Sequence, residues 1–337
     1  MARPAQPAQP DNAPCRPELV SGPAISGRNL PCGNARRHPN QRAADSLPAE
    51  LRRTTVPADV RLWIERQVHA VVVKVRRLEG ASSTAVHGVY LDNRARLVLR
   101  RYVWPGFLEH EPIAPRRELD ALEFASSKGL SAPQVVAADL FGTEIGDGVP
   151  AILMTFLPGR AIGVPDLFRL AEVAATIHET DPGDFGHDYF PWYDGVVSEP
   201  PEATRRPRLW QAAIELRAAA MPAYRPRFIH RDFHPGNVLW SRGRASGVVD
   251  WANACKGPPG CDVAHCRANL VALSGQGAAD GFLSAYEQIT GETYDWYWEL
   301  ASILENSPSH FTAAQLAESE PLLAQAVEAV SGSRPEG

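Results

Sequence analysis

Apolar residues follow two rhythms along this chain, and the change from one to the other divides it. In "DVRLWIERQV" (59–68) they recur every three or four positions behind Asp59, a residue suited to an N-cap, which predicts a helix. "VVVKVRRLE" (71–79), "VHGVYL" (86–91) and "RLVLRRYVW" (96–104) are rich in β-branched residues. A small-residue loop "GASSTA" and a turn at Asp92-Asn93-Arg94 separate them, so they read as three strands of an antiparallel meander. "PRRELDALEFASSKGL" is helical, with Pro115 near its start and Gly129 at its C-terminal cap. "PQVVAADLFG" and "PAILMTFLPG" supply two more strands. From about residue 160 the spacing turns helical, first through Leu167, Leu170, Ala174 and Ile177, then through Leu209, Ala213 and Leu216. A strand-like "SGVVDW" (246–251) interrupts this half, and further helices are predicted over 278–290, 295–305 and 312–330. The pattern predicts an α+β fold: an antiparallel sheet with one long helix, followed by a mainly helical half.

The first 55 residues stand apart. Nine prolines fall in the first 50 and no aromatic precedes Trp63, so this stretch is expected to be a disordered Pro-rich tail. Two further domains are expected, 56–157 and 158–337. With 34 Lys+Arg against 39 Asp+Glu, the formal charge of −5 argues against nucleic-acid binding through bulk charge. No apolar run is long enough to span a membrane and no signal-peptide core opens the chain, so a cytoplasmic location is the expectation. The five cysteines are an odd number, which disfavours a disulfide framework. Cys255, Cys261, His265 and Cys266 crowd together, but their spacing does not match a zinc knuckle.

The chemistry concentrates in "FIHRDFHPGNVLW" (228–240), where apolar flanks enclose His230, Asp232, His234 and Asn237. An ionised Asp only accepts hydrogen bonds, so it can orient a hydroxyl and take its proton. An Asn oxygen is a hard neutral ligand suited to Mg²⁺, and Asp250, ending an apolar strand, offers the second metal-binding carboxylate. This spacing matches the template of phosphoryl transfer: a base for the acceptor hydroxyl, two oxygen ligands for Mg²⁺, and a cation on the phosphates.

"HRDFHPGNVLW…GVVDW" resembles the catalytic and metal-binding segments of the aminoglycoside phosphotransferase-like family, which shares its two-lobed fold with protein kinases and choline kinases. The similarity runs in order over roughly residues 72 to 300. The resemblance implies that Asp232 is the catalytic aspartate and that Asn237 and Asp250 bind the metal. His230, His234 and Asp262 are implied as structural support, Asp262 bracing the loop and starting a helix. On the nucleotide side, Arg100 falls where relatives carry a phosphate-binding cation on the third strand, and Glu118 where its helix partner belongs. Arg101 is the other candidate, since alternation sends neighbouring side chains to opposite faces; Arg100 is favoured. The backbone and the hydroxyls of Ser82, Ser83 and Thr84 are candidates to cradle phosphates, although no G-x-G-x-x-G is present. Thr155, Phe156 and Leu157 fall at the hinge, where backbone groups would read a purine edge.

The implied activity is Mg²⁺-dependent transfer of the γ-phosphoryl of ATP or GTP to a hydroxyl of a small molecule: an aminoglycoside, macrolide, amino alcohol or sugar. The acidic stretch from Glu179 to Glu202, with Trp192 and Tyr193, and the aromatics Tyr294, Trp296, Tyr297 and Trp298 are candidates to border a cationic acceptor. The alternatives are a nucleotide-binding regulatory protein of the same fold without transferase activity and, against the missing glycine-rich loop, a protein kinase.

Overall fold

A computed structural model of the protein describes residues 49–81, 83–191, 197–218, 221–305 and 312–332. Most of the expected tail, 1–48, lies outside them. Its last residues do not behave as a tail: Ala49–Arg52 form a 3-10 turn, Leu51 is buried, and the Arg53 carbonyl lies 3.0 Å from His87 Nε2. The expectation of disorder to residue 55 is corrected there, because one apolar side chain and one carbonyl find partners on the sheet.

The sheet has five strands in the order β1-β2-β3-β5-β4, all antiparallel: β1 (Val72–Arg77), β2 (Ala85–Leu91), β3 (Arg96–Arg101), β4 (Val135–Asp139) and β5 (Ala151–Thr155). The meander holds through β3; β5 then pairs with β3 and β4 takes the edge. Alternation along the strands serves two cores. Val89, Leu97, Leu99 and Leu153 pack with Val60, Trp63 and Ile64 of α1 (Ala58–Val68). Ile152, Met154 and Tyr102 face the other way, toward Ala121 and Leu122 of α3 (Ala114–Ser127), which follows a short α2 (Pro105–His110). Asp59 lies in the first turn of α1, whose N-cap is Pro57; the expected Asp59 cap is corrected, since Pro57 sets the entry and no side chain caps it.

The helical half comprises α4 (Leu167–Glu179), α5 (Pro207–Arg217), α6 (Pro259–Ser274), α7 (Gln276–Thr290), α8 (Tyr297–Leu304) and α9 (Ala313–Gly332). Two small antiparallel pairs are set into it: β6 (Arg227–Ile229) with β9 (Cys255–Gly257), and β7 (Val238–Ser241) with β8 (Arg244–Val248). The connection from the sheet touches β7 backbone to backbone, with Arg160 N donating to Trp240 O at 3.2 Å. Gly159 permits this approach: its φ is +107° and a Cβ there would lie 2.5 Å from Trp240 O. No helix among the described residues is long and apolar enough to cross a membrane.

Candidate active site

β6 delivers the chain to a loop, residues 230–234, and a 3-10 turn, Pro235–Asn237, then feeds β7. Buried Phe228 and Ile229 on one side and Val238 on the other pin the loop at both ends. Asp262, fully buried at the start of α6, fixes its middle. Its Oδ2 accepts from His230 N at 2.8 Å and its Oδ1 from Arg231 N at 2.6 Å. His178 Nε2 lies 3.0 Å from the same carboxylate, and His178 Nδ1 lies 2.8 Å from Tyr286 Oη. Burial by itself would raise the Asp262 carboxyl; the His178 hydrogen bond and the charges of His178 and His230 bring it below the usual carboxylate range. Arg231, whose amide is the second of the two held, adopts a left-handed φ of +67°, so the backbone turns sharply just before Asp232.

Asp232 keeps about a quarter of its side chain exposed and has a donor on each oxygen. His265 Nε2 lies 3.0 Å from Oδ1 and Asn237 Nδ2 3.2 Å from Oδ2. Burial pushes this carboxyl up, but the hydrogen bond and charge of His265, joined by His234 and His230, hold it well below its ordinary value, so it is ionised at neutral pH. Asn237 Nδ2 also donates to Asp232 O at 2.9 Å, which commits its nitrogen to the loop, so the side-chain oxygen is the atom it can offer a cation. His230 Nε2 contacts Val249 O at 3.0 Å, and Val249 N donates to Asn237 O at 2.9 Å. These two contacts bring Asp250, two residues past β8 and itself at φ +69°, alongside the loop.

From the sheet, Arg100 Nη1 reaches Asp250 Oδ1 at 2.6 Å and Glu118 Oε1 at 3.1 Å. Burial would lower the Arg100 guanidinium, but Asp250 and Glu118 raise it further above its ordinary range. Burial raises the Glu118 carboxyl against the pull of Arg100. Tyr102 also donates to Glu118. Arg101 points to the other face and pairs with Asp147.

The remaining nucleotide-side residues are less convergent. Ser82 lies outside the described residues. Thr84 is 3% exposed and Ser83 half-buried at the loop. Thr155 is tied to the sheet edge: its amide donates to Gln134 O at 2.8 Å and its hydroxyl accepts from Gln134 N at 2.9 Å. Phe156 is covered by the Arg96 guanidinium, 4.6 Å from its ring centre. Leu157 lies beside Gly247 of β8.

The aromatics expected near an acceptor are mostly core residues. Tyr294, Tyr297 and Trp298 are buried, and Trp296 and Tyr297 are faced by Arg267 and Arg217. Trp192 and Tyr193 lie outside the described residues. The residue that sequence reasoning missed is His265. It stands one helical turn after Asp262, on the face α6 turns toward the loop, and that spacing was the available signal.

The sequence pattern of the phosphotransferase enzyme family, APH, matches residues 74–300. A homoserine kinase of Beijerinckia indica is 30% identical over 193 residues, covering 51% of this chain and 59% of that protein. A homoserine kinase of Gluconacetobacter diazotrophicus is 29% identical over 158 residues, covering 42% and 49%. The chain thus spans about half the length of the curated relatives it matches. Among solved structures, a Ralstonia eutropha protein provisionally assigned as an aminoglycoside phosphotransferase superposes with a TM-score of 0.58 at 15% identity, over 82% of this chain and 98% of that one. The macrolide 2′-phosphotransferase of Brachybacterium faecium superposes with 0.51 at 17%, over 83% and 100%. A GDP complex of an aminoglycoside 2′-phosphotransferase superposes with 0.51 at 15%, over 80% and 95%. Matched by its family's pattern from β1 to α8, this chain belongs to the phosphotransferase enzyme family.

Proposed function

We propose that the protein is a phosphotransferase that moves the γ-phosphoryl of ATP or GTP to a hydroxyl of a small molecule. The observation that carries this is the convergence of Asp232, Asn237 and Asp250 with the Arg100–Glu118 pair, five side chains from two halves of the chain. Residues 56–157 form the nucleotide side and 158–337 the acceptor side. Asp232 orients the acceptor hydroxyl and accepts its proton as the oxygen attacks phosphorus. Arg100, steadied by Glu118, neutralises the phosphates. The donor set fits a hard divalent cation, because Asn237 offers an amide oxygen and Asp250 a carboxylate one third exposed. When bound there, Mg²⁺ supplies neutralisation of the phosphate oxygens. His230 and Asp262 hold the loop, so that most of the rate comes from positioning and charge.

Relatives that phosphorylate homoserine, aminoglycosides and macrolides support a small alcohol as acceptor, and the GDP complex supports a purine nucleotide. The test is phosphate transfer from ATP and from GTP to homoserine, an aminoglycoside and a macrolide. Asp232→Ala is expected to lower turnover about 10²–10⁴-fold while a Mg²⁺-dependent nucleotide thermal shift persists. Wild-type turnover in that variant would sink the assignment. One contact favours a second reading, a nucleotide sensor without transfer: Arg100, the phosphate-binding cation, is engaged by Asp250 at 2.6 Å. Nucleotide binding without transfer to any acceptor would favour that sensor.

A further inference from the structure

His234 makes a contact that fixes where its proton is. It caps the 3-10 turn, and Gly236 N donates to its Nδ1 at 3.1 Å. The ring lies over Gly236 so closely that a Cβ there would stand 2.6 Å from His234 Cε1. A nitrogen that accepts from an amide carries a lone pair, so the imidazole proton sits on Nε2. That N–H faces Asp232 Oδ1 across 3.9 Å, beyond direct hydrogen-bond reach. Both side chains are about one quarter exposed. Asp232 Oδ1 keeps acceptor capacity beside its contact with His265. One hydroxyl oxygen spans this gap, with hydrogen bonds of about 2.8 Å to either side.

We propose that His234 binds the acceptor alcohol: its Nε2–H donates to the hydroxyl oxygen while that hydroxyl donates to Asp232 Oδ1. The assignment rests on the phosphotransferase reading and adds to it the group that aims the nucleophile. An alcohol oxygen has two lone pairs. His234 takes one, the O–H bond is turned to Asp232, and the remaining lone pair is the one directed to phosphorus. In the step, the new O–P bond forms as the bond from the γ-phosphorus to the β–γ bridging oxygen breaks. The nucleoside diphosphate leaves with that electron pair, and the hydroxyl proton ends on Asp232. Asp232, His234 and His265 bring ligand-type atoms within 4.8 Å of one another, but a protonated Nε2 is a donor and not a metal ligand.

Two variants separate this role from the cap. His234→Asn places an amide oxygen where Nδ1 accepts from Gly236, so the turn survives, but nothing reaches the Nε2 position. His234→Gln presents an amide N–H near that position. The expected result is a 10- to 100-fold fall in kcat for His234→Asn, with nucleotide KM and melting temperature unchanged, and recovery to within a few-fold in His234→Gln. Nitrogen-15 NMR of the intact protein is expected to find the Nε2–H tautomer, with that proton shifting when homoserine or an aminoglycoside that the enzyme phosphorylates is added. A Nδ1–H tautomer overturns the proposal whatever the kinetics, as does a His234→Asn variant with wild-type kcat. If His234→Asn is unstable, His234→Gln and the tautomer decide. A wild-type protein that transfers phosphate to none of the acceptors overturns the phosphotransferase reading and this role with it. Activity in wild type that survives His234→Asn overturns the role alone.

Discussion

The amides of His230 and Arg231 donate to the two oxygens of Asp262 at 2.8 and 2.6 Å, and His178 completes the set. Asp262 never meets a substrate, yet these contacts decide which way Asp232 points. Replacing it with Asn substitutes an N–H for one acceptor and removes the charge. Asp262→Asn is expected to cost about 3 kcal/mol in urea denaturation, the range for breaking a buried charge network. The carboxyl is depressed in the folded state, so its contribution is complete above the ordinary carboxylate range and is lost as pH falls through the folded value. The cost of Asp262→Asn should therefore shrink toward acid pH; a cost that stays constant would place it in packing rather than charge. At this scale the sequence was legible where residues are close in the chain. Asp232 and Asn237 could be paired by spacing alone, and their side chains do meet, at 3.2 Å. His265 reads in sequence as one member of a Cys/His group, but Cys255, Cys261 and Cys266 are buried thiols and His265 turns to Asp232. Only the path of α6 brings those 33 positions together.

Helix α3 joins the two halves. One residue before Glu118, Arg117 donates from Nε to Ala252 O and from Nη2 to Asn253 Oδ1 at 3.3 Å, the segment that follows Asp250. Glu111 balances its charge at 2.9 Å, and its guanidinium lies 4.5 Å from the Phe190 ring centre. Consecutive positions of one helix thus reach the Asp250 segment by two routes, Arg117 directly and Glu118 through Arg100. Arg117→Met keeps the stem and removes the fork, so Asp250 loses one of its two tethers to the sheet half. If the protein is the Mg²⁺-dependent phosphotransferase proposed above, the expected effect is a several-fold rise in the Mg²⁺ concentration giving half-maximal rate, with a stability loss of about 1–3 kcal/mol. A loss of stability with unchanged Mg²⁺ dependence would show that the tether does not act on Asp250. Helix α3 was readable in sequence from Pro115 near its start and Gly129 beyond its end, although its buried face carries Arg117 and Glu118 beside Ala121, Leu122 and Ala125. Helix α6 shows no period: Cys261, Val263, Ala264, Cys266, Arg267 and Leu270 are buried around its circumference, so no polar face marks it and only the family resemblance implied a helix starting at Asp262. The strands β6 and β9, three residues each, are too short to show alternation.

At the scale of the whole molecule, the helical half is closed by a charge that has no access to water. Arg267 on α6 is fully buried and donates from Nε to Glu299 Oε2 on α8 at 2.9 Å, to Ala279 O at 3.0 Å and to Gln325 Oε1 on α9 at 2.8 Å. Three helices and the start of α7 are thus locked by one guanidinium. Burial pushes the Glu299 carboxyl up from 4.5 to about 6, against the pull of Arg267. Between those values the folded protein holds a proton that the unfolded chain has released, so stability falls as pH rises through this window. A shift of that size corresponds to about 2 kcal/mol. Asp262 works in the opposite direction at more acid pH, so together these groups place their greatest support between the two windows. Glu299→Gln removes the titration but leaves Arg267 with Asp280 at 3.3 Å as its remaining carboxylate. The neutral amide stands in for the protonated carboxyl, so above pH 6 the variant is expected to be no less stable than the wild type, and its stability between pH 4.5 and 6 should be flatter, by about 2 kcal/mol over the window. Urea denaturation at half-unit pH steps reads both effects. Parallel curves for the two proteins would mean that Glu299 stays ionised throughout, its burial fully offset by Arg267.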